Sequence, residues 1–429
     1  MNLNGQTILI VGMARSGQAA ARLAHQARAN VRVTDHADES SVDSGFLKWI
    51  GMNKIPAEFG GHSREMVAGC DLVVLSPGVR YDVAPGQWAR EQGIAVIGEL
   101  EFAYRFCPCP VIAVTGSNGK TTVTTLIGRV LREAGRQVFV GGNIGTPLSA
   151  SVLDLRREHI AVLEVSSFQL ESIQTFAPHI GVFLNCSQNH LDRHADMQEY
   201  FECKARLFDF QGPEDTALLN AQDPMARSLS SRVRSKVRWF NTDEQKQHQA
   251  EENPNFLAVE AVASELGISS EVCQKIFREF TGLEHRLERV ADIQGVTFIN
   301  DSKATTAEAG RWALLRVEAP IVWICGGRDK NLDFGILRPI VKQKVKVILT
   351  IGEATEKIIR TFSDLADVRT AADMDDAVRQ AWALAQTGEA VLLSPMCASF
   401  DMFQNFEHRG SSFKESVREL ERCVAKGQR

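Results

Sequence analysis

The stretch Gly116-Ser117-Asn118-Gly119-Lys120-Thr121-Thr122 decides the fold of the central part of the chain. Residues 111–115 before it form a short apolar, β-branched run that predicts a buried strand, and residues 120–132 predict a helix. A glycine-containing loop between a strand and a helix N-terminus is a common setting for phosphate, because backbone N–H groups and the helix dipole both favour anions. The stretch therefore predicts a phosphate-binding loop.

The individual residues of this loop suit a bound nucleotide. Gly116 and Gly119 allow the backbone to approach phosphate oxygens. Lys120 supplies a positive charge, and the Thr121 hydroxyl can ligate Mg²⁺. The strict Walker pattern is not met, since Val114 occupies the position of its first glycine. The alternative is an ordinary strand-to-helix turn, but strand, loop and helix agree in favouring the phosphate loop.

The same alternation of short apolar runs and helical patterns continues in both directions, which predicts an α/β fold with mainly parallel sheets. With 429 residues, the chain exceeds the roughly 250–300 at which single cores stop growing, so several domains are expected. The Cys-Pro-Cys-Pro run at residues 107–110 disfavours regular structure and predicts a linker. We therefore predict domains at 1–106, 107–284 and 285–429.

The first predicted domain opens with Gly12-Met13-Ala14-Arg15-Ser16-Gly17 after a short apolar run. Asp35 follows at about the offset expected of a dinucleotide-binding fingerprint. Taken alone, this pattern indicates NAD. However, Ala14 replaces the second glycine, which normally lets the pyrophosphate come close to the backbone.

Composition and net charge favour a globular protein over one that binds nucleic acid or membranes through its overall charge. The 44% hydrophobic and 24% charged fractions are typical of a globular protein, and a net charge of −5 gives no overall basic field for nucleic acid or membranes. The N-terminus lacks a charged leader and the apolar run at residues 8–11 is too short to span a bilayer, so a cytoplasmic location without membrane insertion is expected. The nine cysteines include no Cys-x-x-Cys pair, which favours reduced thiols over a zinc site.

Six motifs spread over nearly the whole chain resemble those of the Mur ligases. They are residues 115–122, 141–145, 164–170, 189–194, 282–286 and 300–305. The run Asn300-Asp301-Ser302-Lys303-Ala304-Thr305 resembles the members that add D-glutamate. The resemblance implies an N-terminal Rossmann-like domain, a central P-loop ATPase-like domain and a C-terminal Rossmann-like domain.

The resemblance also implies an activity and its partners. The expected reaction is ATP-dependent, Mg²⁺-assisted addition of D-glutamate to UDP-N-acetylmuramoyl-L-alanine through an acyl phosphate. This step belongs to peptidoglycan synthesis, and so to cell wall biogenesis, cell shape and cell division. The expected partners are these small molecules, with no nucleic acid, and the expected state is a cytoplasmic monomer.

Four residues are implied as metal ligands: Thr121, Glu164, His190 and Lys204. Glu164 ends a predicted strand, where parallel sheets commonly place ligands, and a carboxylate there suits Mg²⁺. Considered alone, His190 would more often be a hydrogen-bonding loop residue, and Lys204 would be a surface lysine on a helix. In the family the lysine matching Lys204 is carbamylated by CO₂. Lys120, Glu164, His190, Lys204 and Lys303 are the implied catalytic residues.

The remaining expected contacts fall into three groups by resemblance. ATP is expected to contact the loop residues Gly116, Ser117, Asn118, Gly119, Lys120, Thr121 and Thr122, together with Asn255, Arg286 and Asp301. The UDP-linked substrate is expected to contact Ser16, Asp35, His36, Ser76 and Asn143. The acceptor pocket is expected to contain Lys303, Thr305, Lys330, Ser399 and Phe406.

One segment departs from the family pattern. The usual Gly-x-His-Asn-x-x-Asn signature is replaced by Gln249-Ala250-Glu251-Glu252-Asn253-Pro254-Asn255, in which only the last asparagine matches. Residues 241–255 are polar and predict a solvated loop. Because the signature is altered, altered adenine contacts are expected. Two alternatives stay open: a nucleotide-binding homologue with reduced or lost ligation, and a ligase of the folylpolyglutamate synthetase type. Joint retention of the catalytic set favours an active ligase, and residues 300–305 argue against the synthetase.

Overall fold

The protein is analysed as a computed structural model. It describes residues 3–187, 194–244, 253–280, 282–329 and 332–426. The chain forms two compact units, Met1–Glu279 and Phe280–Arg429. The first unit contains two sheets and the second contains one, which confirms the α/β class with mainly parallel sheets. The predicted domain boundaries stay predictions.

The N-terminal sheet has five parallel strands in the order β3-β2-β1-β4-β5. The strands are β1 Thr7–Val11, β2 Asn30–Asp35, β3 Ala57–Phe59, β4 Leu72–Leu75 and β5 Ala95–Gly98. The helices are α1 Arg15–Gln26, α2 Ser44–Met52, α3 Arg64–Val67, α4 Ala84–Glu91 and α5 Glu99–Tyr104, with a 3-10 turn at Glu39–Ser41. The strand order reverses between β1 and β4, and open α/β sheets bind ligands beside the carboxyl ends of strands at such a point.

The second sheet has six parallel strands in the order β11-β10-β9-β6-β8-β7. The strands are β6 Val111–Thr115, β7 Gln137–Gly142, β8 His159–Glu164, β9 Ile180–Phe183, β10 Thr216–Asn220 and β11 Lys236–Phe240. The helices are α6 Lys120–Glu133, α7 Ser167–Leu170, α8 Met197–Ala205, α9 Pro224–Leu229, α10 Pro254–Glu265 and α11 Ser270–Glu279. Short 3-10 turns occur at Leu148–Ala150, Val152–Asp154 and Arg206–Phe208. Strand β6 lies inside the sheet and is fully buried, so the loop that follows it has a rigid base.

Buried carboxylates join these two sheets into one unit. Glu99 accepts hydrogen bonds from the Ser149 backbone N (3.0 Å) and Oγ (2.5 Å). Glu101 accepts three 3.0 Å hydrogen bonds from the backbone N–H groups of residues 174–176. Burial raises the pKa of Glu99. Burial also acts to raise the pKa of Glu101, but the hydrogen bonds outweigh it and leave that pKa lowered.

The second unit contains a six-stranded sheet in the order β12-β13-β17-β14-β15-β16. The strands are β12 Glu288–Ile293, β13 Val296–Asn300, β14 Ile321–Gly326, β15 Val345–Ile351, β16 Asp367–Thr370 and β17 Ala390–Met396, of which only the pair β12–β13 is antiparallel. The helices are α12 Ala307–Arg316, α13 Arg338–Lys344, α14 Thr355–Phe362, α15 Met374–Leu384 and α16 Phe406–Ala425, with a 3-10 turn at Gly335–Leu337. Strands β14 and β17 lie side by side and are buried throughout.

The prediction of a solvated loop at residues 241–255 is wrong at both ends. Asn241 is buried and donates a 3.0 Å hydrogen bond from Nδ2 to Asn220 Oδ1. Pro254 begins α10, and the Asn253 side chain caps that helix. Residues 245–252 lie outside the described ranges. Among the helices that the structure describes, all are too short or too polar to cross a bilayer.

Candidate active site

The phosphate loop lies between β6 and α6, as the sequence predicts. Gly116 has φ 153° and Gly119 has φ 85°, in the region that favours glycine. A Cβ atom on Gly116 would lie 2.9 Å from the Leu184 Cβ, and one on Gly119 would lie 2.3 Å from the Asn255 Oδ1. The loop therefore needs glycine at both positions, for conformation and for space.

Two lysine side chains converge on one carbonyl of this loop. The Lys120 Nζ donates to the Gly116 O at 2.8 Å and to the Ser117 O at 3.1 Å. The Lys204 Nζ donates to the same Gly116 O at 3.0 Å, from a side chain on α8 that is 1% exposed. Lys204 is thus not the surface lysine that its helical context alone would suggest.

The environment of Lys204 disfavours its charged form. Burial is the largest cause, and the positive charge of Lys120 adds to it, so the pKa of Lys204 is lowered to about 7. Nearby Glu164 acts in the opposite direction but more weakly. The Tyr200 ring lies 4.4 Å from the Lys204 Nζ. The amine is therefore partly neutral near physiological pH.

Glu164 supplies a buried carboxylate beside these lysines. It is the last residue of β8 and is 3% exposed. Its Oε1 accepts a 2.9 Å hydrogen bond from the Asn143 Nδ2, whereas its Oε2 is buried and has no hydrogen-bond partner among the residues that the structure describes. A buried carboxylate oxygen without a donor is costly, and a hard cation such as Mg²⁺ would satisfy it. The donor set therefore fits a magnesium ion.

The other two expected metal ligands give less geometric information. Thr121 lies in the first turn of α6 and is half-buried, and Thr122 follows it on the same helix. His190 lies outside the described residues. The structure thus brings Lys120, Glu164 and Lys204 together, and the role of each stays a prediction.

Two residues that the sequence reasoning missed hold the loop in shape. The Asn185 Oδ1 accepts a 2.9 Å hydrogen bond from the Asn118 N, and its Nδ2 donates to the Asn118 O at 3.1 Å. The Tyr200 hydroxyl lies 3.2 Å from the Ser117 Oγ. No spacing rule could have identified these residues, because they come from segments more than 60 positions away.

Asn255, expected on the adenine side of the nucleotide, lies against Gly119 as described above. It is the second residue of α10, and its backbone N donates a 3.0 Å hydrogen bond to the Asn253 Oδ1. The helix cap therefore fixes the one asparagine of the altered signature that the chain retains. Residues 249–252 of that signature lie outside the described ranges.

The turn of residues 12–17 after β1, the glycine turn, lies close to several predicted substrate contacts. The Asp35 Oδ2 accepts a hydrogen bond from the Met13 N, and its Oδ1 accepts one from the Ala37 N at 2.8 Å. A Cβ atom on Gly12 would lie 3.1 Å from the Cβ of Ser76, which is 4% exposed. Asp35 and Ser76 are therefore both at this turn.

The other predicted substrate contacts are spread more widely. Ser16 is half-buried in the first turn of α1, and His36 is exposed, with its ring centroid 6.2 Å from that of His62. The Asn143 Nδ2 donates a hydrogen bond to the Glu164 Oε1. The Arg15 Nη1 donates a 3.0 Å hydrogen bond to the Gly145 O, so the segment of residues 141–145 contacts both Glu164 and the glycine turn.

In the second unit, Asp301 follows β13 and is 5% exposed. Its Oδ2 accepts a 3.0 Å hydrogen bond from the Ser394 Oγ, and its Oδ1 accepts one from the Leu287 N at 3.3 Å. Burial raises the pKa of Asp301 to about 7, against the opposing effects of these hydrogen bonds and of Arg286. Arg286 itself is exposed.

The expected acceptor residues lie at neighbouring strand ends of this sheet. Lys303 follows β13, and its Nζ lies 5.4 Å from the centroid of the Phe406 ring at the start of α16. Ser399 follows β17 and is buried, and Thr305 is half-buried just before α12. Lys330 lies outside the described residues. Since β13 and β17 are adjacent, the fold brings these loops together.

Three family models match successive parts of the chain. A MurD-like N-terminal domain of Mur ligases matches residues 6–98, the Mur ligase middle domain matches 114–275, and the Mur ligase glutamate ligase domain matches 285–397. Similar curated proteins cover nearly the same length. UDP-N-acetylmuramoylalanine--D-glutamate ligase of Solibacter usitatus is 40% identical, covering 98% of this chain and 99% of the relative. The enzyme of the same name from Thermoanaerobacter sp. is 37% identical, covering 98% and 100%.

Solved structures share the fold at low sequence identity. A pseudomurein peptide ligase type C from Methanothermus fervidus is 16% identical with a TM-score of 0.55, covering 97% of this chain and all of that chain. The MurF ligase from Thermotoga maritima in complex with ADP is 16% identical with a TM-score of 0.58, covering 98% and 96%.

Proposed function

This chain belongs to the Mur ligase family, and we propose that it is an ATP-dependent ligase that joins D-glutamate to UDP-N-acetylmuramoyl-L-alanine in peptidoglycan synthesis. The names of relatives that are about 40% identical over nearly the full length support this activity. One structural observation carries the proposal. The amines of Lys120 and Lys204 meet on the phosphate loop beside the buried Oε2 of Glu164, which suits a metal nucleotide.

Each domain has its own ligand in this proposal. The glycine turn of the first sheet binds the UDP group through Ser16, Asp35, His36 and Ser76, and Asn143 contacts the same substrate. Residues 116–122 hold the ATP phosphates, with Asn255, Arg286 and Asp301 as further nucleotide contacts. D-glutamate contacts Lys303, Thr305, Lys330, Ser399 and Phe406. The carboxylates of the acceptor favour a pocket that contains lysines.

The reaction needs ATP because a carboxylate is a poor electrophile for an amine. The alanyl carboxylate attacks the γ-phosphorus, the bond to ADP breaks, and an acyl phosphate forms. Lys120 offsets the charge that develops on the transferring oxygens. The D-glutamate amine then attacks the acyl carbon, and the tetrahedral intermediate expels phosphate to leave an amide. Mg²⁺ held by Thr121, Glu164, His190 and a carbamylated Lys204 would neutralise phosphate charge.

The lowered pKa of Lys204 supports its carbamylation. Only a neutral amine attacks CO₂, and an ordinary lysine with a pKa of about 10.4 is almost wholly protonated at neutral pH. Lys204, with a pKa of about 7, offers a much larger neutral fraction. Attack forms an N–C bond and releases a proton, which leaves a carbamate anion. The product removes the repulsion between Lys204 and Lys120 and adds an oxygen ligand.

Release of inorganic phosphate tests the proposed activity. Protein mixed with ATP, Mg²⁺ and UDP-N-acetylmuramoyl-L-alanine should release phosphate in multiple turnovers only when D-glutamate is added. Omission of each substrate in turn provides the control, and L-glutamate in place of D-glutamate tests stereospecificity. No release at all would refute the proposal and favour a binding protein without ligation. Release that does not depend on D-glutamate would refute it as well, because it would show ATP hydrolysis that is not coupled to ligation.

We also propose that the protein acts as a cytoplasmic monomer. All nine cysteines, every one of them in the described ranges, are free thiols, which fits a reducing compartment. Light scattering at working concentration should give a mass near 47.4 kDa. A mass of twice that value would rule out the monomer.

A further inference from the structure

Arg409 is a fully buried cation that the proposed reaction does not use. It lies in the first turn of α16 and is 1% exposed. Its guanidinium donates from Nε to the Ser302 Oγ at 3.1 Å, from Nη2 to the Ser302 O at 2.9 Å and from Nη1 to the Cys397 O at 3.0 Å. Ser302 immediately precedes Lys303, and Cys397 lies two residues before Ser399. One side chain thus ties together the two loops that carry acceptor residues.

The charge of Arg409 is not balanced by a direct ion pair. Within the part of the chain that the structure describes, its three hydrogen bonds go to one hydroxyl and two backbone carbonyl oxygens, and the Asp401 carboxylate attracts it only by a smaller effect than the cost of burial. Burial lowers its pKa to about 10, so it remains protonated at neutral pH. Burying an arginine without a hydrogen-bonded carboxylate is unfavourable, whereas an apolar residue would fill the same space without that cost. An apolar residue could not supply the planar, fork-shaped set of N–H donors of the guanidinium.

The same hydrogen-bond network extends to Phe406, one of the predicted acceptor residues. The Ser302 Oγ donates a 2.8 Å hydrogen bond to the Phe406 O while it accepts from the Arg409 Nε. Phe406 in turn carries the ring that lies 5.4 Å from the Lys303 Nζ. Ser302 and Arg409 therefore connect the backbone of Phe406 to the loop that carries Lys303.

We propose that Arg409 is a positioning residue for the acceptor amino acid, because its guanidinium sets the spacing between the Lys303 loop and the Ser399 loop. The inference rests on the proposed function and deepens it. Arg409 does not touch D-glutamate in this view. It fixes the distance between the groups that bind the acceptor, so its loss should weaken acceptor binding and leave the other two substrates unaffected.

Arg409→Lys tests this inference, because it keeps the positive charge and removes the fork. A single ammonium cannot reach three acceptors in the same geometry, so the KM for D-glutamate should rise by about tenfold or more. The KM values for ATP and UDP-N-acetylmuramoyl-L-alanine should stay within about twofold of the unmodified protein. A lower melting temperature with an unchanged KM for D-glutamate would mean that Arg409 is only structural and would overturn the inference.

Two further variants keep the test decisive. Ser302→Ala removes the hydroxyl shared by Arg409 and Phe406, and should also raise the KM for D-glutamate. In the double variant with Arg409→Lys, the fold increase in KM should be smaller than the product of the two single fold increases. If Arg409→Lys does not fold, Ser302→Ala alone decides. Arg338→Lys is the matched control, since that guanidinium hydrogen-bonds the Thr361 O and Asp364 in the same unit, and it should leave this KM unchanged. An unmodified protein without D-glutamate-dependent release would refute the proposed function itself.

Discussion

The buried amine of Lys204 makes the site sensitive to pH and to dissolved CO₂. Lys204→Ala should reduce the ligation rate by about 100-fold, because an anionic group close to the phosphates is lost. In the unmodified protein, carbamate and activity should rise as the pH rises through about 7 and be lost below it, since the amine is neutral only above its pKa. Carbon-13 NMR after incubation with labelled bicarbonate should show a carbamate signal that Lys204→Ala lacks.

A matched control for this experiment is Lys344→Ala, which removes a lysine that bonds the Leu315 and Val317 carbonyls far along the chain. It should keep the carbamate signal and its pH dependence. Full activity of Lys204→Ala without any response to bicarbonate would show that the carbamate assignment is wrong.

The same residue marks the limit of what a sequence can reveal about this site. The roles of the glycines and of Lys120 could be predicted from the sequence, because a glycine loop between a strand and a helix N-terminus favours bound anions. Lys204 bonds a carbonyl 88 positions away, so nothing in its own helix distinguishes it from a surface lysine. The hydrogen bond from Asn143 to Glu164 was likewise not predicted, because it joins two strand ends that only the sheet order brings together.

At the scale of elements, the buried strand before the phosphate loop was predicted from its apolar residues. Strand β6 has the predicted bounds, because a parallel strand inside a sheet is a continuous apolar run. Strands β12 and β16 were missed. Both lie at sheet edges, carry charged residues and are partly exposed, so they show neither a continuous run nor a clean alternation.

The turn at Gly119 gives a prediction for the loop that we propose binds phosphate. Gly119→Ala should weaken ATP binding by about tenfold or more, because a side chain strains the left-handed backbone and meets the Asn255 Oδ1. Equilibrium titration with a fluorescent ATP analogue measures the loss. Gly51→Ala, at a helical glycine with open space around it, is the control and should bind normally. Normal ATP affinity in Gly119→Ala would show that the loop does not need this conformation.

At the scale of the whole molecule, Glu101 links the first two sheets. Glu101→Gln should destabilise the first unit by about 1–3 kcal/mol, because an amide cannot accept all the hydrogen bonds that the carboxylate accepts. Thermal unfolding measures this change, and faster trypsin cleavage after Arg105 should accompany it. Because the pKa of Glu101 is lowered on folding, its contribution is present above its ordinary value of 4.5 and is lost as the pH falls through the lowered value.

Glu39→Gln, at an exposed position in the same unit, serves as the control and should change neither stability nor cleavage. If Glu101→Gln matched the unmodified protein at neutral pH, the buried carboxylate would not be holding the two sheets together.

The segment of residues 141–145 has a thermodynamic consequence. Its Gly145 accepts a hydrogen bond from Arg15 beside the glycine turn, and its Asn143 donates one to the Glu164 carboxylate. Any ligand that favours one arrangement of this segment at one of these contacts changes the free energy of binding at the other, and linkage requires the effect to be reciprocal. The heat and affinity of UDP-substrate binding should therefore depend on whether the metal nucleotide is already bound, so that the two ligands behave as a cooperative pair.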